Sequence, residues 1–224
     1  MKIIHTSDTH NKLTLNKAEY IKSLNADLVF DSGDIIKSGN IDFNIFGEKA
    51  WNVYNGVYDA ICPGNREYHF LKCGFLCKNK GFNIPIVTCN YIYKYKKGLT
   101  IPYIYFNVKG IKVGVLGLSN INIDSSMKCH KIAAQYQKDI FESAYETIDK
   151  MKCDYLIALT HIGLEKDIIL AEKCPKINLI LGGHSHDLCV KKTNNTTIVH
   201  SGAFAENYSI IETENEINVK QNKF

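Results

Sequence analysis

Long hydrophobic runs, strong charge of either sign, internal repeats and low-complexity tracts are all missing from this 224-residue sequence. The longest apolar stretches fall well short of the ~20 residues that cross a bilayer, which excludes a membrane-spanning helix. A formal net charge of +4 is mild and sets no demand for nucleic acid or an anionic membrane surface. No apolar leader with a small-residue cleavage site stands before Ile3, so a cytoplasmic chain is expected. With no linker in view, residues 1–224 are expected to form one domain, and 45% hydrophobic content suffices for one sizeable core. The eight cysteines are scattered singly through apolar surroundings and read as reduced thiols, not as a disulfide framework. Cys73 and Cys77, one helical turn apart, read as two small buried hydrophobes on one helix face.

What is present is an alternation of short strands, loops and helices, the mark of an α/β fold. Strands are expected over 2–7, 27–30, 57–61 and 85–88, with helices over 17–24, 45–55 and 66–80 between them. Strands over 101–108 and 111–117 are joined by Lys109-Gly110, a hairpin signal. A long helix is expected over 132–151, then strands over 155–160 and 177–181 with a helix between. Short strands over 188–191, 196–200, 208–213 and 217–219 close the chain, with a turn at Asn194-Asn195.

The chain is organised around its opening strand, which ends in Ser7-Asp8-Thr9-His10. Side chains at i and i+2 on a strand point the same way, so Asp8 and His10 can reach one point beyond the strand end. Carboxylate oxygen with imidazole nitrogen is a ligand set for a divalent metal. Four later strand ends carry the same kind of residue: Asp34, Asn65, His161 and the pair His184/His186. Open α/β sheets bind ligands beyond the carboxyl ends of their strands. Two aspartates, four histidines and one asparagine are too many for one four-coordinate ion and suit two ions sharing a carboxylate. Such a pair can clamp and polarise a phosphate and activate water at neutral pH.

These blocks resemble the calcineurin-like metallophosphoesterase superfamily, most closely the catalytic domain of 5′-nucleotidases and related cyclic-nucleotide phosphodiesterases. His5-Thr6-Ser7-Asp8-Thr9-His10, Asp31-Ser32-Gly33-Asp34, Pro63-Gly64-Asn65, Gly114-Val115-Leu116-Gly117-Leu118, Leu159-Thr160-His161-Ile162-Gly163 and Gly182-Gly183-His184-Ser185-His186 follow the order of that family's motifs. The resemblance implies a four-layer α/β/β/α sandwich with two mixed sheets and a phosphoester-hydrolysing activity. It also implies two divalent ions (manganese, iron, zinc or similar). The first would take Asp8, His10, Asp34 and His186, and the second Asp34, Asn65, His161 and His184, so that Asp34 bridges. The nucleotide-specificity domain that follows the catalytic domain in 5′-nucleotidases is not expected, since the sequence stops at Phe224.

Three departures from the family pattern bear on chemistry. The histidine that follows the family's Gly-Asn is Arg66 here, in Gly64-Asn65-Arg66-Glu67. Arginine cannot act as a general acid at neutral pH, but it pairs with phosphate oxygens and stabilises developing charge. Three residues on, a frequent aspartate is replaced by His69. If a helix starts at Arg66, positions i and i+3 share a face and His69 becomes a displaced proton donor; otherwise it is a half-buried structural histidine. The glycine that often follows the first histidine is Asn11.

Asn90 ends a strand beside the expected site and is a candidate substrate contact, with Asn65 and Arg66. Tyr91, Tyr93 and Tyr95 alternate with Ile92, Lys94 and Lys96, a pattern that can bind single-stranded nucleic acid but also describes a strand with two faces. The second reading is favoured. His5 is expected to be a satisfied core residue, while His130 and His200 show no partner in the sequence. The reading is a binuclear metal-dependent phosphohydrolase acting on phosphodiesters or activated monoesters, with nucleotide-derived esters among the candidates. Its rivals are a nuclease, which the mild charge disfavours, and a metal-binding scaffold whose catalysis is weakened by Arg66.

Overall fold

The computed structural model describes residues 1–39, 41–69, 71–93, 99–120, 135–214 and 216–224. Along them the chain runs β1 (Lys2–Thr6), α1 (Leu15–Ser23), β2 (Leu28–Asp31), α2 (Trp51–Tyr54), β3 (Ala60–Ile61), α3 (Lys72–Lys78) and β4 (Tyr91–Tyr93). Next come β5 (Tyr103–Val108), β6 (Ile111–Ser119), β7 (Gln135–Gln137), α4 (Ile140–Ile148), β8 (Tyr155–His161), α5 (Leu164–Lys173) and β9 (Leu179–Gly182). The last strands are β10 (Leu188–Thr193), β11 (Thr196–Ser201), β12 (Asn207–Thr213) and β13 (Ile217–Lys223).

Two mixed sheets form the body. The first has the order β13-β12-β1-β2-β3, with β1, β2 and β3 parallel and β12 antiparallel to β1. The second has the order β10-β11-β9-β8-β6-β5, parallel from β11 through β6 and antiparallel at both edges. Alternation along the strands assigns each residue to a layer. Ile3, Leu28 and Phe30 meet Val115, Ile157, Leu159, Leu179 and Leu181 in the core between the sheets. Their neighbours Ile4, Val29 and Ile61 face outward and pack with Ala18, Ile21, Trp51 and Tyr54. On the far side Leu156, Ala158 and Ile180 pack against Ala144, Ile148, Leu170 and Ala171. The strands are apolar on both faces because both are covered. The arrangement is the four-layer α/β/β/α sandwich.

Several expected elements are shorter than their periodicity suggests. The helix expected over 66–80 begins only at Lys72. The carbonyls of Arg66 and Tyr68 accept from the buried Lys78 ammonium, each at 2.8 Å, and are engaged there in place of helical amides. The helix expected over 45–55 is confined to Trp51–Tyr54. The strand expected over 85–88 is a crossing segment, bridging Ile61 through Ile86 and Ile101 through Val87. Of the long helix expected over 132–151, the described part is Ile140–Ile148 preceded by a strand, Gln135–Gln137, paired with β4. Asp139 starts the helix by accepting from the Glu142 N–H at 2.8 Å. Residues 121–134, with His130, and residues 94–98, with Lys94, Tyr95 and Lys96, lie outside the described residues. Tyr91 is buried in β4 and meets Tyr68 and Phe75 edge-on, which favours the strand reading of that segment. Cys73 is exposed, against the expectation of burial.

Candidate metal centre

Beyond β1 and β2 the two loops continue to pair. Asp8 N–H donates to the Gly33 carbonyl at 2.9 Å, His10 N–H to Asp34 at 3.0 Å and Asn11 N–H to Ile35 at 2.7 Å. The Asn11 side chain then accepts from Lys37 N–H at 3.1 Å. Asn11 has φ +62°, a left-handed conformation that asparagine tolerates better than most residues, so it fills the family's glycine position and adds a clasp. Asp8, His10, Asp34, His184 and His186 also have positive φ, between 45° and 82°. Each chain segment therefore turns sharply as it leaves its strand, and backbone strain of this kind concentrates at functional sites. Gly64 permits a further close approach, since a Cβ there would overlap the Asp34 carboxylate.

The two sheets deliver their polar residues to a common seam. Asp8, His10, Asp34 and Asn65 follow strands of the first sheet; His161, His184 and His186 come from the second. Two donor sets form there, Asp8/His10/His186 and Asp8/Asp34/His161, each with ligand atoms within 4.8 Å of one another. His10 Nε2 lies 3.2 Å from His186 Nε2, and His186 Nε2 lies 3.5 Å from Asp8 Oδ1. His161 Nε2 lies 3.5 Å from Asp34 Oδ1 and 3.3 Å from Asn65 Oδ1. His184 Nδ1 is 3.1 Å from the same Asn65 oxygen and 3.3 Å from His161 Nε2.

These contacts fit a cation. His161 donates through Nδ1 to the Ser32 carbonyl at 2.7 Å, which leaves Nε2 turned inward towards two oxygens. Nothing but a positive charge stabilises a bare nitrogen facing two acceptors. Burial by itself would lower the His161 pKa, yet Asp34 and then Asp8 raise it to about 10, so the two carboxylates favour a positive charge at this nitrogen. Burial and then His161 push His184 down to about 4, and burial lowers His10. Neutral imidazoles are the form that ligates metal. Burial raises the Asp8 carboxyl; for Asp34 burial acts the same way but is outweighed by His161 and the Arg66 N–H, and its pKa falls.

Two charged residues that the sequence reading passed over hold this geometry. Glu67 is fully buried and its carboxylate accepts from four backbone amides. One oxygen takes Asp34 N–H at 2.9 Å and Gly64 N–H at 2.7 Å; the other takes Ile35 at 2.8 Å and Ile36 at 3.1 Å. Lys78 grips the other side of the same turn through the Arg66 and Tyr68 carbonyls, and burial lowers its pKa to about 8. Arg66 is thereby fixed beside Asp34: its N–H donates to Asp34 Oδ1 at 2.7 Å, and its Nε is 3.8 Å from Asp34 Oδ2. That Nε is buried with no hydrogen-bond acceptor. Asn120, just past β6, brings its amide within 3.5 Å of His184 Nε2.

Two sequence candidates are engaged in contacts of their own. His69 lies outside α3, so the shared helix face does not exist. Its Nδ1 accepts from Leu71 N–H at 2.9 Å and its Nε2 donates to the Ile41 carbonyl at 3.0 Å, so both ring nitrogens are engaged by backbone groups. Asn90 is fully buried and its amide pairs with the backbone of Ser119, donating to the carbonyl at 2.7 Å and accepting from N–H at 2.8 Å. It braces the end of β6 and presents no face to a substrate. His200, partnerless in the sequence, lies 2.8 Å from Asp167 in a buried pair beneath Gly182. His5 bridges Ser201 and Ser32, each at 2.7 Å, and burial lowers its pKa to about 3.

Residues 1–188 match the family model for calcineurin-like phosphoesterase. The trifunctional nucleotide phosphoesterase protein YfkN of Bacillus subtilis is 30% identical, with 85% of this chain and 16% of that protein covered. A 5′-nucleotidase of Vibrio cholerae is 27% identical, with 87% of this chain and 42% of that protein covered. The chain thus spans less than half the length of these relatives. Among solved structures, the Haemophilus influenzae NAD nucleotidase superposes with a TM-score of 0.77 at 22% identity, covering 100% of this chain and 49% of that one. The fold is therefore shared with that enzyme.

Proposed function

The chain belongs to the calcineurin-like phosphoesterase family, and from that premise we propose that its seam is a binuclear metal centre that hydrolyses phosphoesters with good leaving groups. Family membership implies divalent cations as cofactors. We assign one ion to Asp8, His10, Asp34 and His186 and the other to Asp34, Asn65, His161 and His184, with manganese, iron and zinc as the metals this donor set suits. The convergence of the two donor sets from both sheets is the observation that carries this reading. That all seven ligands are kept disfavours the metal-binding scaffold, since a site under no catalytic demand need not keep them.

Bound there, the ions would polarise the phosphoryl oxygens and make water acidic enough to attack at neutral pH. The remaining work falls to the chain. His161 keeps its proton on Nδ1 through Ser32 and presents Nε2 to the centre. Arg66, part-exposed beside Asp34, pairs with phosphoryl oxygens through its guanidinium and stabilises the charge that develops on them. It gives up no proton at neutral pH, so the leaving oxygen departs on its own acidity. Phosphodiesters and esters of acidic hydroxyls are favoured over alkyl monoesters. The names of the relatives add nucleotide-derived esters as the substrate class. The seven described cysteines are all free thiols, which accords with a cytoplasmic enzyme.

The test compares kcat/KM for matched aryl and alkyl esters with added Mn²⁺. General acid help is typically worth about 10²–10⁴-fold, so the wild type should be better on aryl esters by that order. Arg66→His should raise the alkyl rate selectively, and Arg66→Ala should lower both. Absence of turnover in every variant with metals bound would sink the proposal.

A further inference from the structure

Next to the centre lies a cleft of about 270 Å³ lined by His10, Lys12, Lys37, Arg66, His186 and Phe204. It is smaller than the ~300–1,000 Å³ of pockets that enclose a whole ligand, so it suits one group of a larger molecule. Its lining holds three permanent cations and no carboxylate. Lys12 and Lys37 are exposed, and among the described residues neither has an ion-pair partner. Their adjacency is built in. Lys12 follows the β1 loop and Lys37 the β2 loop, and the paired backbone of Asp8–Asn11 with Gly33–Ile35 carries the two lysines out side by side. The Asn11 clasp on Lys37 N–H fixes the second one.

The lining also includes an aromatic ring held in place at some cost. Phe204 has φ +57°, and its N–H donates to the Asp8 carbonyl at 2.8 Å. Its ring sits 5.2 Å from that of His10 and 5.3 Å from that of His186 and remains 44% exposed. An exposed phenylalanine in a left-handed conformation is unusual, and strain of this kind points to a position that has to be occupied. The cleft therefore combines positive charge, an apolar ring and the candidate metal ligands His10 and His186.

We infer that this cleft binds a second phosphoryl group, so that the substrate is a diphosphate or bisphosphate and not a monophosphate. The inference rests on the metal-centre reading above, since it places the scissile phosphate there. Arg66 stands at the boundary of both places: its fork can hold the scissile group while Lys12 and Lys37, as point charges, hold the next one. A monoester would leave both lysines unmatched. A carboxylate in the same place would neutralise one charge of the two, whereas a terminal phosphoryl group carries close to two.

The experiment uses the metal-loaded protein at fixed free Mn²⁺. Calorimetry measures binding of methylenediphosphonate against methylphosphonate, and kinetics measure a nucleoside 5′-diphosphate against 4-nitrophenyl phosphate, a monophosphate whose leaving group is also acidic. The wild type should prefer the member with two phosphoryl groups in each pair by about tenfold or more. Lys12→Ala/Lys37→Ala should reduce that preference to near unity while turnover of 4-nitrophenyl phosphate stays within about twofold, and Lys12→Arg/Lys37→Arg should retain it. Equal binding of the two phosphonates by the wild type, or a preference that survives the double alanine variant, would overturn the inference. Turnover without the preference removes the subsite and leaves the proposed function standing. A lysine-dependent diphosphonate preference without any turnover does the reverse.

Discussion

Replacing Glu67 by glutamine isolates the contribution of one buried carboxylate to the whole centre. The side chain keeps its shape, but one of its two oxygens becomes an NH₂ group. Whichever oxygen is lost, two backbone amides that had an acceptor then face a donor: Asp34 with Gly64, or Ile35 with Ile36. A buried donor left unsatisfied costs about 1–3 kcal/mol, so the pair costs roughly 2–6 kcal/mol. Part is recovered. Burial and the nearby Asp34 raise the Glu67 pKa, and a neutral amide is free of that desolvation and repulsion. The expected net loss is about 2–4 kcal/mol, or a fall of roughly 5–15 °C in Tm for a chain of this size. Metal affinity should fall about 10–100-fold, as it does when groups that orient ligands are removed, because Asp34 loses the anchor on its own N–H. Thermal denaturation and a competitive chelator titration measure the two effects. A Glu67→Gln protein with wild-type Tm and wild-type metal affinity would refute the reasoning.

Removal of the ions should lower Tm, with Mn²⁺ or Zn²⁺ restoring it, because a ligand of the native state stabilises it by mass action; an unchanged melting curve after verified removal would count against the site. Asp34→Asn should abolish binding of both ions while His10→Ala retains one. Asp8 belongs to both donor sets here, so loss of both ions in Asp8→Asn together with retention in Asp34→Asn would transfer the bridging role to Asp8. His5 binds its proton at about pH 3 in the native state and near 6.5 when unfolded, so the unfolded chain takes up more protons between these values and His5 contributes a loss of stability as pH falls through that window. The slope is about 1.4 kcal/mol per pH unit, and His5→Gln should reduce the loss between pH 6.5 and 4 by roughly 3 kcal/mol in metal-free protein; identical pH profiles would exclude it. Gly117→Ala should destabilise by about 3 kcal/mol or more in denaturant titrations, since the new methyl would overlap the Val87 carbonyl of the segment that crosses between the sheets; a wild-type midpoint would show that the crossing segment yields freely.

The strand ends were legible because each pairs an apolar β-rich run with an abrupt polar stop. Val29-Phe30 before Asp31-Ser32-Gly33-Asp34 and Leu181 before Gly182-Gly183-His184 mark both the strand and the place where it turns. The supports were not legible for the opposite reason. Glu67 and Lys78 lie in a stretch with helical spacing, where charged residues ordinarily face water, yet both are buried and spend their charge on backbone groups. Periodicity records side-chain polarity and says nothing of which carbonyls a lysine will claim, so the helix from Arg66 was over-extended and His69 was credited with a face it lacks. Asn90 misled in a similar way: a polar residue at a strand end reads as site-facing, but its amide pairs with Ser119 as a backbone unit would. His200 and Asp167 are 33 positions apart, and sequence alone offers nothing to join them.

The division of the ligands between the sheets has a mechanical consequence. One donor set joins Asp8 and His10 to His186, the other joins Asp8 and Asp34 to His161, and each crosses from one sheet to the other. A sandwich of this kind resembles a closed book whose covers are pressed together by the apolar pages between them, with clasps along only one edge. Ions at the seam would fasten that edge. Their departure should let the two sheets part there first, so that amides after β1 and β2 and those after β8 and β9 begin to exchange with solvent together, while amides at the far edge keep their protection. Exchange confined to one sheet would mean that the covers are not clasped to each other.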